Sequence, residues 1–177
     1  MDMAAKRCIM IFPELNNIQK INQIRAAYDP LANHVKPHIT LVFPFESNLD
    51  TSQLRAHLEK ILSAINPFRL VLKNITPAKS DFGNYLFLNV HEGKDIIEAL
   101  HQKFYQGILE DYKPSWLATN NYEPHMTLGV IENEMEFDKI AEKLSLTKES
   151  FTATVDKISV EIIDANEDSI IEMEVDL

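Results

Sequence analysis

The chain contains the same short pattern twice. Residues 36–43 have the sequence KPHITLVF and residues 123–130 have the sequence EPHMTLGV, so proline, histidine, threonine and leucine recur at matching offsets. Each segment has the composition of a short strand that begins near its proline, where no ladder hydrogen bond is needed. One strand pattern repeated about half a chain apart predicts two similar lobes, each of which contributes one such strand.

The alternation of side chains along a strand divides each repeat into two faces. His38 and Thr40 share one face of the first strand, and His125 and Thr127 share the corresponding face of the second. The intervening apolar residues point the other way and are expected to anchor each strand on the core. If the two strands lie side by side or face to face, the two polar faces meet at one cleft.

The remaining periodicity predicts a mixed fold. Apolar stripes predict four helices and apolar runs predict seven strands, in the order strand, helix, strand, helix, strand, strand, helix, strand, helix, strand, strand. No Gly-rich phosphate loop of the dinucleotide or P-loop kind is present. We therefore expect an α+β architecture rather than a doubly wound sheet, with residues 1–177 forming a single bilobal domain.

Charge and cysteine content limit the functional classes. The formal net charge of −10 argues against binding that follows a long nucleic-acid backbone, but not against one nucleotide or RNA end in a local basic pocket. Cys8 is the only cysteine, which excludes an internal disulfide, and it lies in an apolar run. With no secretory signal and no apolar stretch long enough for a membrane span, we expect a cytoplasmic protein, a monomer, with no membrane partner.

The two histidines and two threonines suit phosphodiester chemistry. Histidine has an unperturbed pKa near ~6.5, so one imidazole can act as a base and the other as an acid near neutral pH. The threonine hydroxyls can donate hydrogen bonds to phosphate oxygens. A single His-x-Thr would carry little weight, whereas two matching copies favour catalytic roles for His38 and His125 and phosphate binding by Thr40 and Thr127.

Aromatic and basic residues near the repeats are secondary candidates. Phe43 and Phe45 continue the strand that presents His38 and Thr40 on one face, and we predict that they stack on a base. Tyr122 falls on the opposite face and is not predicted to contact substrate. Four basic residues could add positive charge, although each is more simply explained as solvated surface: Lys36, Arg69, Lys73 and Lys79.

A metal site is not expected. His34 and His38 have a spacing that binds zinc on a helix, but Pro37 lies between them and no acid or cysteine completes a set. The other histidines, at positions 57, 91 and 101, lack partners in the sequence and are expected at the surface. We therefore predict a site that needs no metal and no cofactor.

The paired motifs resemble those of the two-histidine (2H) phosphoesterase superfamily, and the bacterial 2'-5' RNA ligase-like proteins and cyclic phosphodiesterases in particular. The resemblance covers most of the chain, but only the two motifs are specific. It implies a pseudo-two-fold fold with an antiparallel sheet in each lobe, helices on the outer faces, and both motifs lining a central cleft. It also implies action on 2',3'-cyclic phosphates or 2'-5' linkages, with His38 and His125 as the acid and base and Thr40 and Thr127 as phosphate ligands.

Two alternative functions remain open, and the sequence differs from the pattern of the family at two positions. The chain could be a nucleotide or RNA-end binding module without catalysis, or a phosphoesterase of another small metabolite, because fold and motif do not determine the leaving group. Pro44 follows the first motif, so the edge of the cleft there is expected to differ. Gly129 in the second motif either permits a close backbone approach or marks a bulge.

Overall fold

The computed structural model describes residues 4–177. These residues form eight β-strands and four α-helices, with two short 3-10 helices, Gly107–Tyr112 and Ser115–Ala118, in the segment before the fifth strand. The strands are β1 Ala5–Ile11, β2 Ile39–Ser47, β3 Phe68–Ser80, β4 Gly83–Glu92, β5 His125–Val130, β6 Ser150–Val155, β7 Lys157–Ile163 and β8 Ser169–Asp176. The helices are α1 Ile18–Tyr28, α2 Thr51–Leu62, α3 Lys94–Phe104 and α4 Glu134–Ser145.

All eight strands belong to one antiparallel sheet, in the order β6-β3-β4-β5-β2-β1-β7-β8. The α+β class is therefore confirmed, but the expected pair of separate sheets is not what forms. Two four-stranded halves, each ending in a motif strand, join where β5 meets β2. Along the described chain this junction consists of a single residue pair, Ile39 opposite Met126.

The helices are exchanged between the two halves of the sheet. Helix α1, from the first half of the chain, packs on β5, and α3, from the second half, packs on β2. Helix α2 packs on β8, and α4 packs on β3 and β4. Buried apolar side chains from both halves form one continuous cluster. The exchange ties each motif strand to a helix from the other half.

Sequence periodicity missed three short elements. Within residues 4–177 the edge strand β6 pairs only with β3, and because Phe151 and Val155 are its only buried residues, its sequence shows no clear alternation. The two 3-10 helices lie in a segment expected to be a loop. The predicted closing hairpin is confirmed as β7 paired with β8. None of the helices within residues 4–177 is long and apolar enough to cross a lipid bilayer.

Candidate active site

The predicted division of each motif strand into two faces is present in the structure. Ile39 and Leu41 are fully buried, whereas His38 and Thr40 are half-buried. The second strand repeats this pattern, with Met126 and Leu128 fully buried and His125 and Thr127 half-buried. Burying the apolar pair of each strand in the core therefore directs the polar pair toward solvent on the opposite face.

The register of β2 and β5 brings the two polar pairs together. Because Ile39 lies opposite Met126, the residues one position to either side also face each other across the antiparallel pair. His38 is then opposite Thr127, and His125 is opposite Thr40. Residues directly opposite have Cβ atoms about 4.5–5.5 Å apart and diagonal neighbours are roughly 7–8 Å apart. Each histidine thus lies beside the threonine of the other motif, and the two imidazoles lie diagonally across one patch.

Both imidazoles are oriented by the same local hydrogen bond. Nδ1 of His38 lies 2.7 Å from the carbonyl oxygen of Lys36, and Nδ1 of His125 lies 2.6 Å from that of Glu123. A carbonyl oxygen can only accept, so Nδ1 carries the proton in each ring and donates it. Nε2 of each neutral imidazole has no hydrogen-bond partner within residues 4–177 and is available for proton transfer.

The surroundings of both histidines favour the neutral form. Burial lowers the pKa of His38 below its usual 6.5; the hydrogen bond to Lys36 opposes this shift, and the nearby charge of Arg25 adds to it. Burial also lowers the pKa of His125, against the hydrogen bond to Glu123, and the charge of His38 lowers it further. The two imidazoles are therefore close enough for one to influence the ionisation of the other.

Aromatic rings that the motif analysis missed pack on both histidines. The phenyl ring of Phe87 stacks on the imidazole of His125, with ring centroids 3.5 Å apart and planes at 20°. The ring of Phe12 lies 6.0 Å from that of His38. Phe87 is opposite Thr127 in the register of β4 and β5. The alternation in β4, where Leu86 and Leu88 are buried, was the available signal that Phe87 lies on the histidine face.

The prediction that Phe45 stacks on substrate is wrong. Phe45 is 5% exposed and packs in the core, with its ring 5.3 Å from that of Tyr112. The strand is not regular: two register shifts against β1 separate Thr40 from Phe45, and Leu41 and Val42 are buried in succession. The two one-residue shifts together leave the alternation unchanged, and Phe45, seven residues from His38, lies on the face of Ile39 and Leu41.

Phe43 is half-buried in an aromatic cluster at the edge of β2. Its ring lies 4.8 Å from that of Trp116 and 6.4 Å from that of Tyr122, both in an edge-on arrangement. The structure does not place it beside either catalytic candidate, so its role as a substrate contact stays a prediction.

Side chains take over the hydrogen bonds that β5 does not make to β2. Tyr122 donates its hydroxyl proton to the carbonyl oxygen of Thr40 at 2.7 Å, and Nδ1 of His101 donates to that of Leu41 at 2.7 Å. The backbone N–H of Phe43 donates to the hydroxyl of Tyr105 at 2.9 Å. Tyr122 thus faces away from the site, as predicted, yet it holds the backbone of a site residue.

The expectation that His101 is a surface residue is wrong. It is 4% exposed, and its ring stacks on that of Tyr122 with centroids 3.7 Å apart and planes at 4°. Burial lowers the pKa of His101, which favours the neutral ring that donates to Leu41. A single buried histidine on a helix has no sequence signature that separates it from a surface one.

Both interpretations of Gly129, a close backbone approach and a bulge, are present in the structure. A Cβ atom at this position would lie 2.7 Å from Cβ of Tyr28 and 3.1 Å from its carbonyl oxygen, so glycine is needed for α1 to approach β5. The register of β5 against β4 also shifts between Thr127 and Gly129, which marks a bulge. The close approach contributes to the exchanged packing of α1.

Two of the four basic candidates form ion pairs with acidic side chains. Arg69 pairs with Glu92, and Lys79 pairs with Glu134 and Asp138 on the outer side of β3. Lys73 lies on β3, at the register position of Ser150 on the edge strand β6.

Lys36 is exposed and lines a cavity of about 920 Å³ that lies beside His38 rather than between the two histidines. His34 is bonded to Asp168 instead of sharing a ligand with His38. No cluster of three or more histidine, cysteine or acidic residues suited to a metal ion occurs in the part of the chain that the structure describes.

Comparison with known proteins gives one consistent family. The sequence profile of the 2'-5' RNA ligase superfamily matches residues 12–167. A Bacillus licheniformis protein named "Putative phosphoesterase" is 26% identical over 150 residues, which cover 84% of this chain and 85% of the relative. A Geobacillus kaustophilus protein of the same name is 28% identical over 152 residues, which cover 84% and 83%.

Solved structures share the fold across nearly the whole chain. Escherichia coli LigT complexed with 3'-AMP superposes with a TM-score of 0.59 at 12% identity, covering 98% of both chains. TT0787 of Thermus thermophilus superposes with a TM-score of 0.59 at 13% identity, covering 97% of both chains. LigT has also been solved with ATP and with NADP+, at TM-scores of 0.53 and 0.57. At these identities the likeness establishes the fold.

Proposed function

This chain belongs to the two-histidine phosphoesterases of the 2'-5' RNA ligase superfamily, and from that membership we propose that it hydrolyses or forms phosphodiesters at nucleotide or RNA ends without a metal. The proposed substrates are 2',3'-cyclic phosphates and 2'-5' linkages. The observation that supports the proposal is the pairing of Ile39 with Met126, from which we infer that each histidine lies opposite the threonine of the other motif.

The proposed mechanism is an in-line displacement at phosphorus. Nε2 of one neutral histidine removes the proton from an attacking water, and the water oxygen forms a new bond to phosphorus. The bond from phosphorus to the leaving ribose oxygen breaks, and the protonated second histidine gives its proton to that oxygen. His38 and His125 hold these two roles, and the direction of the reaction determines which is which.

The two threonines are suited to hold the phosphoryl group during this step. The hydroxyls of Thr40 and Thr127 are half-buried on the same face as the imidazoles. Donors that are already directed at the non-bridging oxygens stabilise the charge that builds up in the transition state. The LigT complexes with 3'-AMP, ATP and NADP+ support a nucleotide as the ligand of this chain.

The test is turnover of a 2',3'-cyclic nucleotide by single histidine variants. We expect His38→Ala and His125→Ala each to lower kcat by about 10²–10⁴-fold, because each removes a general acid or base. His91→Ala is the matched control, since His91 is exposed on β4. Circular dichroism would verify that all three variants are folded. Full activity in a folded His38→Ala or His125→Ala variant would refute the proposal.

Metal independence is tested in the same assay. Because the proposed proton transfers use only imidazoles, we expect EDTA to leave the rate of the wild-type protein unchanged. A rate that is lost with the chelator and restored by a divalent cation would favour a metal-dependent reaction instead.

A further inference from the structure

A groove beside His38 has no role in the mechanism described above. Its volume is about 920 Å³, and it lies between α1, the loop formed by residues 32–37, and side chains from β7 and β8. That volume is within the range of about 300–1,000 Å³ typical of small-molecule sites.

The sheet register connects this groove to the catalytic patch. Ile11 pairs with Ile39, so Phe12, the next residue, is opposite His38, and their rings are 6.0 Å apart. On the other side, Met10 pairs with Ser159, which places Phe12 opposite Lys157. Phe12 and Lys157 both line the groove. The groove therefore begins one strand away from His38 and continues across β1 toward β7.

Arg25 is a buried cation that lines the groove and has one guanidinium nitrogen without a hydrogen bond to residues 4–177. The residue is 2% exposed, and its Nε donates to Oδ2 of Asp29 at 2.8 Å. Nη2 has only a long contact of 3.5 Å to the carbonyl oxygen of Leu31, and Nη1 has no hydrogen-bond partner among residues 4–177. No fully buried side-chain nitrogen or oxygen in this part of the chain is left without a partner. Because Arg25 lines the groove, Nη1 is the guanidinium nitrogen left to donate to a ligand there.

The side chains that line the groove include one more cation than acids, although Arg25 is already paired with Asp29 behind it. The chain has a net charge of −10, yet Arg25, Lys36 and Lys157 line the groove against two acids, Glu14 and Glu174. Lys157 lies 3.3 Å from Glu174, and its side chain is 37% exposed. An ammonium group has three protons to donate, so this contact leaves two available. A guanidinium and two ammonium groups beside an acid–base pair suit a phosphate group.

We propose that this groove binds a second phosphate of the substrate, one position along the chain from the phosphorus that reacts. Nη1 of Arg25 and Nζ of Lys157 contact its oxygens, and Phe12 supports the sugar or base between the two phosphates. The inference rests on the proposed function and extends it, because it makes nucleotides with a further phosphate better ligands than those with one.

Calorimetry with product-like nucleotides tests the groove without requiring turnover. We expect adenosine 3',5'-bisphosphate to bind about tenfold more tightly than 3'-AMP, as a charge-assisted hydrogen bond would give. The same ratio is expected for the corresponding 2'-phosphate isomers. In Lys157→Gln this ratio should fall by several-fold, whereas Lys60→Gln, which changes an exposed lysine on α2, should leave it unchanged.

Arg25→Gln is the stronger variant but leaves Asp29 buried without its partner, so it can unfold the protein. Lys157→Gln changes a partly exposed side chain and keeps the inference testable if Arg25→Gln does not fold. Equal affinity for the bisphosphate and the monophosphate in the wild-type protein, or a ratio that Lys157→Gln leaves intact, would overturn the groove assignment.

A third ligand distinguishes whether the second phosphate belongs to an RNA end or to a mononucleotide. The dinucleotide ApA carrying a 3'-phosphate has an internucleotide phosphate where the bisphosphate has a terminal one. Tighter binding of the dinucleotide indicates an RNA end, and tighter binding of the bisphosphate indicates a mononucleotide; both support the groove. If the groove fails its test but His38→Ala and His125→Ala lose activity, the proposed function stands. If those two variants stay fully active while the phosphate ratio is intact, the function is refuted and the groove assignment is kept.

Discussion

The phenyl ring of Phe87 on β4 lies almost parallel to the imidazole of His125 on β5, with ring centroids 3.5 Å apart and planes at 20°. Nδ1 of the same imidazole is held by the carbonyl oxygen of Glu123. Stacking fixes the plane of the ring, and the hydrogen bond fixes its rotation within that plane. Nε2 of His125 is therefore oriented by two contacts that do not involve substrate.

The stack predicts that Phe87→Leu impairs catalysis while the core stays intact. An aromatic pair is worth about 0.5–1.5 kcal/mol, so we expect a loss in kcat/KM of about two- to tenfold. Less burial should also raise the pKa of His125 toward 6.5, which NMR titration of its ring proton would detect. Phe82→Leu is the control, because Phe82 is 69% exposed. An unchanged titration curve and rate in Phe87→Leu would show that the stack has no catalytic effect.

The lowered histidine pKa values predict an acidic optimum for the free enzyme. At pH 7 both imidazoles are mostly neutral, because burial holds each pKa below 6.5, and the general acid is missing. As the pH falls one imidazole is protonated and the rate rises; protonation of the second then removes the base and the rate falls. We expect a bell-shaped profile of kcat/KM with its maximum below pH 6.5.

A bound phosphate stabilises imidazolium, so the profile of kcat should be displaced to higher pH than that of kcat/KM. Both profiles come from initial rates measured across pH 4–9 at constant ionic strength. A kcat/KM maximum above pH 7 would contradict the burial argument.

The same shifts predict how stability depends on pH. Because the folded-state pKa values of His38 and His125 lie below the unfolded value, the unfolded chain binds more protons just below pH 6.5. The contribution of these groups to stability is complete above that pH and is lost as the pH falls toward the folded-state pKa values. Replacing both histidines with glutamine should flatten the dependence of the denaturation midpoint on pH between 6.5 and 5, and an unaltered slope would argue against it.

Tyr122 is predicted to be a positioning residue that acts through Thr40. Tyr122→Phe removes the hydroxyl that donates to the Thr40 carbonyl, which should cost about 1–3 kcal/mol of stability and lower kcat by on the order of tenfold. Tyr105→Phe is the matched control, because it removes a hydroxyl that binds the same strand at Phe43, three residues beyond Thr40. We expect similar denaturation midpoints for the two variants but a loss of kcat only in Tyr122→Phe. Equal kcat in both would indicate a purely structural role.

Gly129→Ala is predicted to destabilise the fold by roughly 1–3 kcal/mol, since the added methyl group would overlap Cβ of Tyr28. Urea denaturation measures this cost. Gly107→Asn is the contrasting control: its φ of 61° is one that asparagine tolerates, and a Cβ there would meet His57 only at 3.7 Å. A Gly129→Ala variant as stable as the wild-type protein would mean that α1 can move away from β5 at no cost.

The local sequence pattern was sufficient to predict most of the secondary structure and the buried faces of the two motif strands. The alternation within HITL and HMTL predicted which side chains are buried, because the period of a strand is independent of what it pairs with. The four helices and the closing hairpin followed from periodicity in the same way. The prediction for Phe45 was wrong because this residue is an odd number of positions from His38, so the strand period places it on the buried face of Ile39 and Leu41.

What the sequence determined by itself is that two histidine–threonine pairs each face away from the core. That they face each other was decided by the tertiary structure, through the pairing of Ile39 with Met126 that joins the halves of the sheet. A one-residue change in that register would turn one pair away from the other. The tertiary structure also decided that Phe87 stacks on His125 and that Arg25 lines the groove. Contacts between distant strands and helices depend on register and packing rather than on any local pattern.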